Sequence, residues 1–296
     1  MTGLVSIVVD ILGPVFALIG LGAVAGRRLH VPPAPLATMA YWIIGPAFMF
    51  DVLASADLGG DVLVRMVGAL LLGLIAAGLT AWVAATSSGA DRRAAVLTTS
   101  VYGNAGNYGL AVVVFTFGEQ AAAFAAIGLV VVNTVGVIVG VASAHSGLAS
   151  VRRALTSPLT LAIPPAALVN ALDLDLPTIA DRAIGLLAGA LIPVMLLTLG
   201  IQLQGMTRPR LDADILTAVG TKLLVQPAVA AGAAVVVGLS GAPLGAVVLM
   251  AAMPAAVFTV VLSIEQDTMP DLTSAIVLVG TLASLLTLPG IIALVR

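Results

Sequence analysis

One apolar stretch of the chain carries polar residues and glycines that could bind an anion. Within residues 94–117, the segment GNAGNYGL occupies positions 103–110. Asn104 and Asn107 are spaced i, i+3, which puts their amide groups on one face of a helix. Because glycine costs about 1 kcal/mol in a helix interior, we expect an interrupted helix here. Such a helix exposes N–H groups and a partial positive charge at the start of its second half. The segment predicts a site that binds a carboxylate without a fully buried cation.

The same residues could instead serve close packing between helices. Gly103, Gly106 and Gly109 would let a neighbouring helix approach, and the two asparagines would form hydrogen bonds across the bundle. We favour the binding site, because the other half of the chain carries a break at the matching place.

The elements that must position this segment are transmembrane helices. The chain has 296 residues, of which 60% are hydrophobic and 9% are charged, whereas soluble domains carry about 25% charged residues. This composition excludes a soluble fold, and the absence of cysteine excludes disulfides and thiolate metal sites. We expect no metal site and no cofactor. Ten apolar runs of membrane-crossing length predict an all-α integral membrane protein with spans at residues 4–26, 36–55, 62–86, 93–117, 121–144, 156–172, 179–202, 214–239, 243–264 and 272–295.

The charged residues predict the orientation of the chain. Odd-numbered loops carry the basic residues Arg27, Arg28, Arg92, Arg93, Arg152, Arg153, Arg208 and Arg210. Even-numbered loops carry the acidic residues Asp57, Asp61, Glu119, Asp173, Asp175 and Asp181. Since basic loops stay in the cytoplasm, we expect a multi-pass protein of the cell membrane with both termini extracytoplasmic. The first run has no basic segment before it, so we expect a retained helix and not a signal peptide.

The two halves of the chain resemble each other. Three matching pairs have separations of 144, 147 and 146 residues: Pro14 and Pro158, Pro46 and Pro193, and Glu119 and Glu265. We infer two repeats, residues 1–148 and 149–296, with five spans each. Because five is odd, the repeats enter the membrane in opposite orientations. Inverted repeats are typical of secondary transporters, whose sites lie in interrupted helices near the midplane.

This repeat places a second break opposite the first. A shift of 146 residues aligns three site candidates of the fourth span with three of the ninth: Asn107, Tyr108 and Gly109 with Met253, Pro254 and Ala255. Proline removes a helix hydrogen bond and costs about 3 kcal/mol. Breaks at membrane depth are stable only where protein or water satisfies the freed backbone. We therefore predict that these six residues, with Asn104, bind the substrate.

Four other polar residues lie within predicted spans. Asp51, five residues after Pro46, is the candidate for carrying a coupling proton, with an interfacial residue as the alternative. Lys222 could attract substrate, but we expect it to snorkel to the cytoplasmic face. Gln226 and Asn133 are cavity-lining candidates, although Asn133 could instead bond to a neighbouring helix.

Several segments together resemble one transporter family. YGNAGNYGL with FGEQ after it, MPAAVFTVVLSIEQ and LASLLTLP resemble the auxin efflux carrier family, which includes PIN-type auxin carriers and bacterial malonate or malate carriers. The resemblance covers essentially the whole chain. It implies ten helices in two inverted repeats, with broken fourth and ninth helices that cross, a fold shared with bile-acid/sodium symporters. It also implies a scaffold of helices 1, 2, 6 and 7 and a moving transport domain of helices 3–5 and 8–10, an elevator arrangement.

The chain departs from the related families at two places. Ala111 follows Leu110 where the family usually has proline, so the break in the fourth helix would depend on glycine. The region from Met250 to Phe258 has no carboxylate, unlike the ninth-helix crossing of the sodium symporters. A two-sodium site is therefore not expected, which leaves proton coupling or facilitated transport.

These features predict a secondary transporter of small organic anions that works by alternating access. Its partners would be a mono- or dicarboxylate, auxin-like or malonate-like, and membrane lipid, with a homodimer as the protein assembly considered and no nucleic acid. The alternatives are a non-transporting sensor or scaffold of the same fold and a membrane-embedded enzyme. We do not expect an enzyme, because Asp51 is the one candidate acid at membrane depth and catalysis would need a paired base or nucleophile.

Overall fold

The computed structural model of the chain describes residues 3–56, 59–86, 88–144, 152, 155–204, 206 and 211–296. Within these ranges the secondary structure is helical, apart from one isolated antiparallel bridge. The predicted repeat boundary between residues 148 and 149 lies outside the described residues. So do four of the charged loop residues used to predict the orientation: Asp57, Arg153, Arg208 and Arg210.

Seven helices among the described residues are long and apolar enough to cross a membrane. We number helices by the predicted span in which they lie: α1 Ile7–Leu29, α2 Pro33–Ala54, α3 Gly60–Ala84, α5 Glu119–Ser143, α7 Thr178–Gln204, α8 Ala213–Val236 and α10 Pro270–Val295. The shorter helices are α4a Ala90–Val101, α4b Ala105–Phe117, α6 Pro158–Ala171, α9a Gly241–Ala251 and α9b Phe258–Glu265. Seven membrane-length helices support a multi-pass membrane protein. The arrangement as ten spans in inverted repeats stays a prediction.

Large apolar side chains cover the outside of the helices. The most exposed, each with at least 80% of its surface accessible, are Ile179, Leu186, Val236, Leu286 and Leu294. In a soluble protein such side chains would lie in water, whereas lipid tails are as apolar as leucine and accept them. The surface of the molecule is therefore that of a membrane protein.

Widened π-helical turns mark the prolines of three long helices. The turns Ile7–Leu12, Ala40–Ile44 and Thr221–Val225 each end two residues before a proline, at Pro14, Pro46 and Pro227. Proline has no N–H and its ring pushes against the preceding turn, so the helix widens there.

A fourth π-helical turn, Ala105–Gly109 at the start of α4b, has no proline after it. It ends two residues before Ala111, the position at which the auxin efflux carriers usually have proline. Two glycines, Gly106 and Gly109, lie inside this turn. The distortion of α4b therefore coincides with glycine.

Close contact between α1 and α7 depends on two glycines. A Cβ atom on Gly22 would overlap the backbone carbonyl of Leu197, and one on Gly200 would overlap that of Ile19. Each glycine thus removes the side chain that would separate the two backbones, the usual device for packing helices in a membrane.

Ion pairs join the start of α4a to the start of α8. Arg92 Nε donates to Asp214 Oδ2 at 2.5 Å, and Arg92 Nη2 donates to Asp212 Oδ2 at 2.7 Å. Asp212 also caps α8, because its Oδ1 accepts the N–H of Ile215 at 2.9 Å. That N–H, and then the Arg92 guanidinium, hold the pKa of Asp212 below its usual range. The carboxylate therefore stabilises the start of α8 in its charged form.

Candidate functional site

Two non-helical segments pair with each other between the halves of the chain. Residues 102–104 separate α4a from α4b, and residues 252–257 separate α9a from α9b. The N–H of Asn104 donates to the carbonyl of Pro254 at 2.7 Å, and the N–H of Ala256 donates to the carbonyl of Tyr102 at 2.9 Å. Gly103 and Ala255 form an antiparallel bridge between these bonds. We call this pair of segments the junction. It satisfies backbone groups that a membrane would otherwise leave unpaired.

The side chain of Lys222 reaches the junction from α8. Lys222 lies in the π-helical turn before Pro227, and only 1% of its surface is accessible. Its Nζ donates to Gln226 Oε1 at 2.5 Å and to the carbonyl of Ala251 at 3.2 Å. A Cβ atom on Gly103 would lie 2.6 Å from this Nζ, so glycine makes room for the ammonium. The expectation that Lys222 snorkels to the cytoplasmic face is wrong.

The charge of Lys222 has no counter-ion within the described part of the chain. The salt bridges found there involve Arg65 and Arg92 only. Both acceptors of the ammonium are neutral oxygens, one of them a carbonyl at the C-terminal end of α9a, where the helix dipole is negative. A buried charge is normally paired, so a protonated Lys222 leaves the junction with an unbalanced positive charge. The sequence analysis expected an anion site without a fully buried cation, and the structure adds the buried Lys222 side chain to the residues around the junction.

Two side-chain amide nitrogens, one in the junction and one in Gln226, lack hydrogen-bond partners in the described structure. Asn104 Nδ2 and Gln226 Nε2 are buried, and neither has an acceptor in the described structure. Asn104 is 4% exposed and follows Gly103, which contacts Lys222. Buried donors without acceptors are costly. The junction thus presents an ammonium and free amide donors, a set that a carboxylate would satisfy.

Comparisons with known proteins agree with a transport role. A family model described as a membrane transport protein matches residues 143–292. An uncharacterized transporter from Methanothermobacter thermautotrophicus is 30% identical over 253 residues, which cover 82% of this chain and 83% of the relative.

The chain belongs to this family of membrane transport proteins, the auxin efflux carriers. The predicted resemblance is therefore confirmed. With the seven apolar helices, membership makes the chain a multi-pass membrane transporter, and it favours transport over catalysis.

The site candidates of α4b have different surroundings in this carrier. Asn107, Tyr108 and Gly109 lie in the π-helical turn, after the non-helical residues 102–104 and not within them. Asn107 is half-buried, whereas Tyr108 is fully buried with its ring edge-on to Phe16 at 5.8 Å. The Tyr108 hydroxyl accepts a hydrogen bond from Ser284 Oγ at 3.4 Å. Tyr108 therefore joins α4b to α1 and α10.

The candidates of the ninth span lie in the junction itself. Met253, Pro254 and Ala255 are buried in its second segment, and the Pro254 carbonyl accepts the Asn104 N–H. A Cβ atom on Gly109 would lie 2.9 Å from Met253 Cγ. Close packing, the alternative for the glycines, thus applies at Gly109.

The remaining candidates are divided between the junction and another part of the carrier. Asn133 Oδ1 accepts the Tyr102 hydroxyl at 2.5 Å, so this amide holds the junction to α5. Asp51 is half-buried where α2 packs on α7, and a Cβ atom on Gly185 would lie 3.9 Å from its Oδ1. Asp51 thus belongs to the contact between α2 and α7, and the structure shows no contact between its described side chain and the junction.

The sequence analysis named Gln226 as a cavity-lining candidate, but for Lys222 it preferred snorkelling to a role in attracting substrate. The available signal was the i, i+4 spacing of Lys222 and Gln226, directly before Pro227. A charge within an apolar span is a functional candidate by default.

Proposed function

We propose that this carrier is a secondary transporter of small organic anions, mono- or dicarboxylates, that binds its substrate at the junction and works by alternating access. One observation supports this most: the Lys222 ammonium is buried against Gly103 of the junction with no counter-ion among the described residues, and the amide nitrogen of the adjoining Asn104 has no hydrogen-bond partner there. A substrate carboxylate would accept from both groups, and such charge-assisted hydrogen bonds are about twice as strong as neutral ones.

The junction geometry supports two inverted repeats with helices that cross. Each segment donates one backbone N–H to the other, across the Gly103–Ala255 bridge. This reciprocal exchange is what a pseudo-two-fold axis in the membrane plane would produce. We therefore retain the ten-span arrangement with broken fourth and ninth helices.

Contacts among four helices support the proposed scaffold. Gly22 and Gly200 bring α1 against α7. The Nδ2 of Asn170, near the end of α6, donates to the carbonyls of Ala54 and Ala56 at 2.9 Å each, at the end of α2. Helices α1, α2, α6 and α7 would form the static domain, and the helices that carry the junction would move against them.

The predicted orientation can be tested with single cysteines, because the chain has no cysteine of its own. A cysteine at Glu119 should react with an impermeant thiol reagent from outside intact cells, and one at Arg152 only after the membrane is opened. Reaction of both from the outside would contradict the inverted repeats.

Transport and binding can be measured on the purified carrier. We expect malonate, malate or indole-3-acetate to raise its melting temperature and to enter reconstituted vesicles. Lys222→Met, which keeps the side-chain volume and removes the charge, should abolish both effects. The sensor alternative predicts binding without uptake, and an enzyme would convert the compound. Failure of all mono- and dicarboxylates to bind would overturn the proposal.

A further inference from the structure

We propose that the Lys222 ammonium takes the place of a coupling cation, so that this carrier binds its anion without sodium or potassium. The proposal rests on the function proposed above, because it explains how the same site is balanced in charge. The proposed function concerns the anion that the ammonium attracts. The present proposal concerns the metal cation whose place the ammonium takes.

The groups around the ammonium are those that bind small hard cations. Lys222 Nζ is held by the Gln226 amide oxygen and by the carbonyl of Ala251, the last residue of α9a. Hard cations take oxygen ligands such as carbonyls and amides. In transporters with discontinuous helices, exposed carbonyls and the C-terminal ends of half-helices coordinate the coupling ion. The ammonium thus occupies a position with the ligands of a cation site.

The ammonium is fixed there by the covalent chain and by the packing around it. Its side chain is fully buried, and Gly103 leaves just enough room for Nζ and Cε. The charged residues of α8 and of the described helices that pack on this turn lie near the starts of those helices: Asp61, Arg65, Asp91, Arg92, Arg93, Asp214 and Asp271. None of them forms a salt bridge with Lys222 in the described structure. The positive charge at the junction therefore belongs to the protein itself.

An ammonium built into the site changes which ions the transport cycle needs. A carrier whose site holds only neutral groups can balance a bound carboxylate with a dissolved cation. Here the ammonium itself pairs with a carboxylate of the anion, so we expect that no dissolved metal cation binds at this position. Replacing Lys222 with a small residue would remove the charge and leave the two oxygen ligands, Gln226 Oε1 and the Ala251 carbonyl, facing an open space.

The test compares Lys222→Ala with the matched variant Lys222→Met and with the unaltered carrier. Melting temperatures are measured without any organic anion, in sodium chloride and in N-methyl-D-glucamine chloride of equal ionic strength. We expect a saturable, sodium-specific rise for Lys222→Ala and none for the other two proteins. Because no substrate is present, this result does not depend on whether the carrier transports anions.

The second measurement is malonate affinity under the same two salts. We expect the unaltered carrier to bind malonate equally in both salts. Lys222→Ala should lose roughly ten- to hundred-fold in affinity in N-methyl-D-glucamine and regain part of that affinity in sodium.

If Lys222→Ala does not fold, Lys222→Ser replaces it. A tenfold sodium dependence in the unaltered carrier, or well-folded small-residue variants with no cation response, would overturn the proposal. Absence of malonate binding in every protein, with the sodium response intact, would count against the proposed function only.

Discussion

Replacing Gly103 with alanine tests the packing of Lys222 against the junction. The added Cβ atom would lie 2.6 Å from Lys222 Nζ and 2.8 Å from its Cε, so the lysine must move. Gly103 is not among the described glycines with a left-handed backbone, so the effect is steric. Overpacking a core costs about 1–3 kcal/mol, and a hydrogen bond to a charged group is worth about 1.5–3 kcal/mol. We expect Gly103→Ala to lower the free energy of unfolding by about 2–3 kcal/mol.

The assay is denaturation of the carrier in mixed micelles, arranged as a double-mutant cycle with Lys222→Ala. Shortening the lysine removes the clash, so Gly103→Ala should cost almost nothing in that background. The control is Gly232→Ala in α8, where the new Cβ atom meets open space and stability should not fall. An equal cost of Gly103→Ala with and without Lys222 would refute the contact.

Substitutions at three further residues probe the polar groups. Asn104→Ala should weaken malonate binding roughly ten- to hundred-fold and leave the carrier folded; unchanged binding with a lower melting temperature would indicate a packing role. We expect uptake in vesicles to depend on pH and Asp51→Asn to remove that dependence, so a variant with the original pH profile would exclude Asp51 as the proton carrier. Asp212→Ala should cost about 0.5–2 kcal/mol at pH 7, and Asp212→Asn less. Because the pKa of Asp212 is lowered, its stabilisation is full above the unfolded pKa of about 4 and is lost as pH falls through the folded pKa.

The positions of the helices could be predicted from the sequence because a bilayer imposes length and composition together. The sixth predicted span, residues 156–172, contains α6 at Pro158–Ala171, and the tenth, residues 272–295, coincides with α10 at Pro270–Val295. Backbone groups in lipid must be satisfied within the segment, so an apolar run has one stable local structure. Prolines add to this agreement, because the widened π-helical turns before them follow from the N–H that proline lacks.

The break between α4a and α4b could be predicted only to within a few residues. Glycine and asparagine mark the region, but the helix ends at Val101, and Asn107 lies beyond the break. The position depends on partners far away in the sequence, because the Tyr102 carbonyl and the Asn104 N–H pair with residues of the ninth span. Local helix propensity indicates where a helix is weak. The backbone of the ninth-span segment, which forms the hydrogen bonds, determines which residues leave the helix.

Lys222 shows why the chemistry of the site was harder to predict than its location. A lysine two turns into a span can reach the interface, and snorkelling avoids a cost of about 2.5–3.5 kcal/mol for a charge at membrane depth. The structure places the ammonium inwards, where two neutral acceptors offset only part of the several kcal/mol needed to bury an ion. That arrangement is unfavourable for a carrier that stays empty and favourable for one that binds an anion. The bound anion would supply the missing counter-ion, so the complex should be the more stable state of the protein.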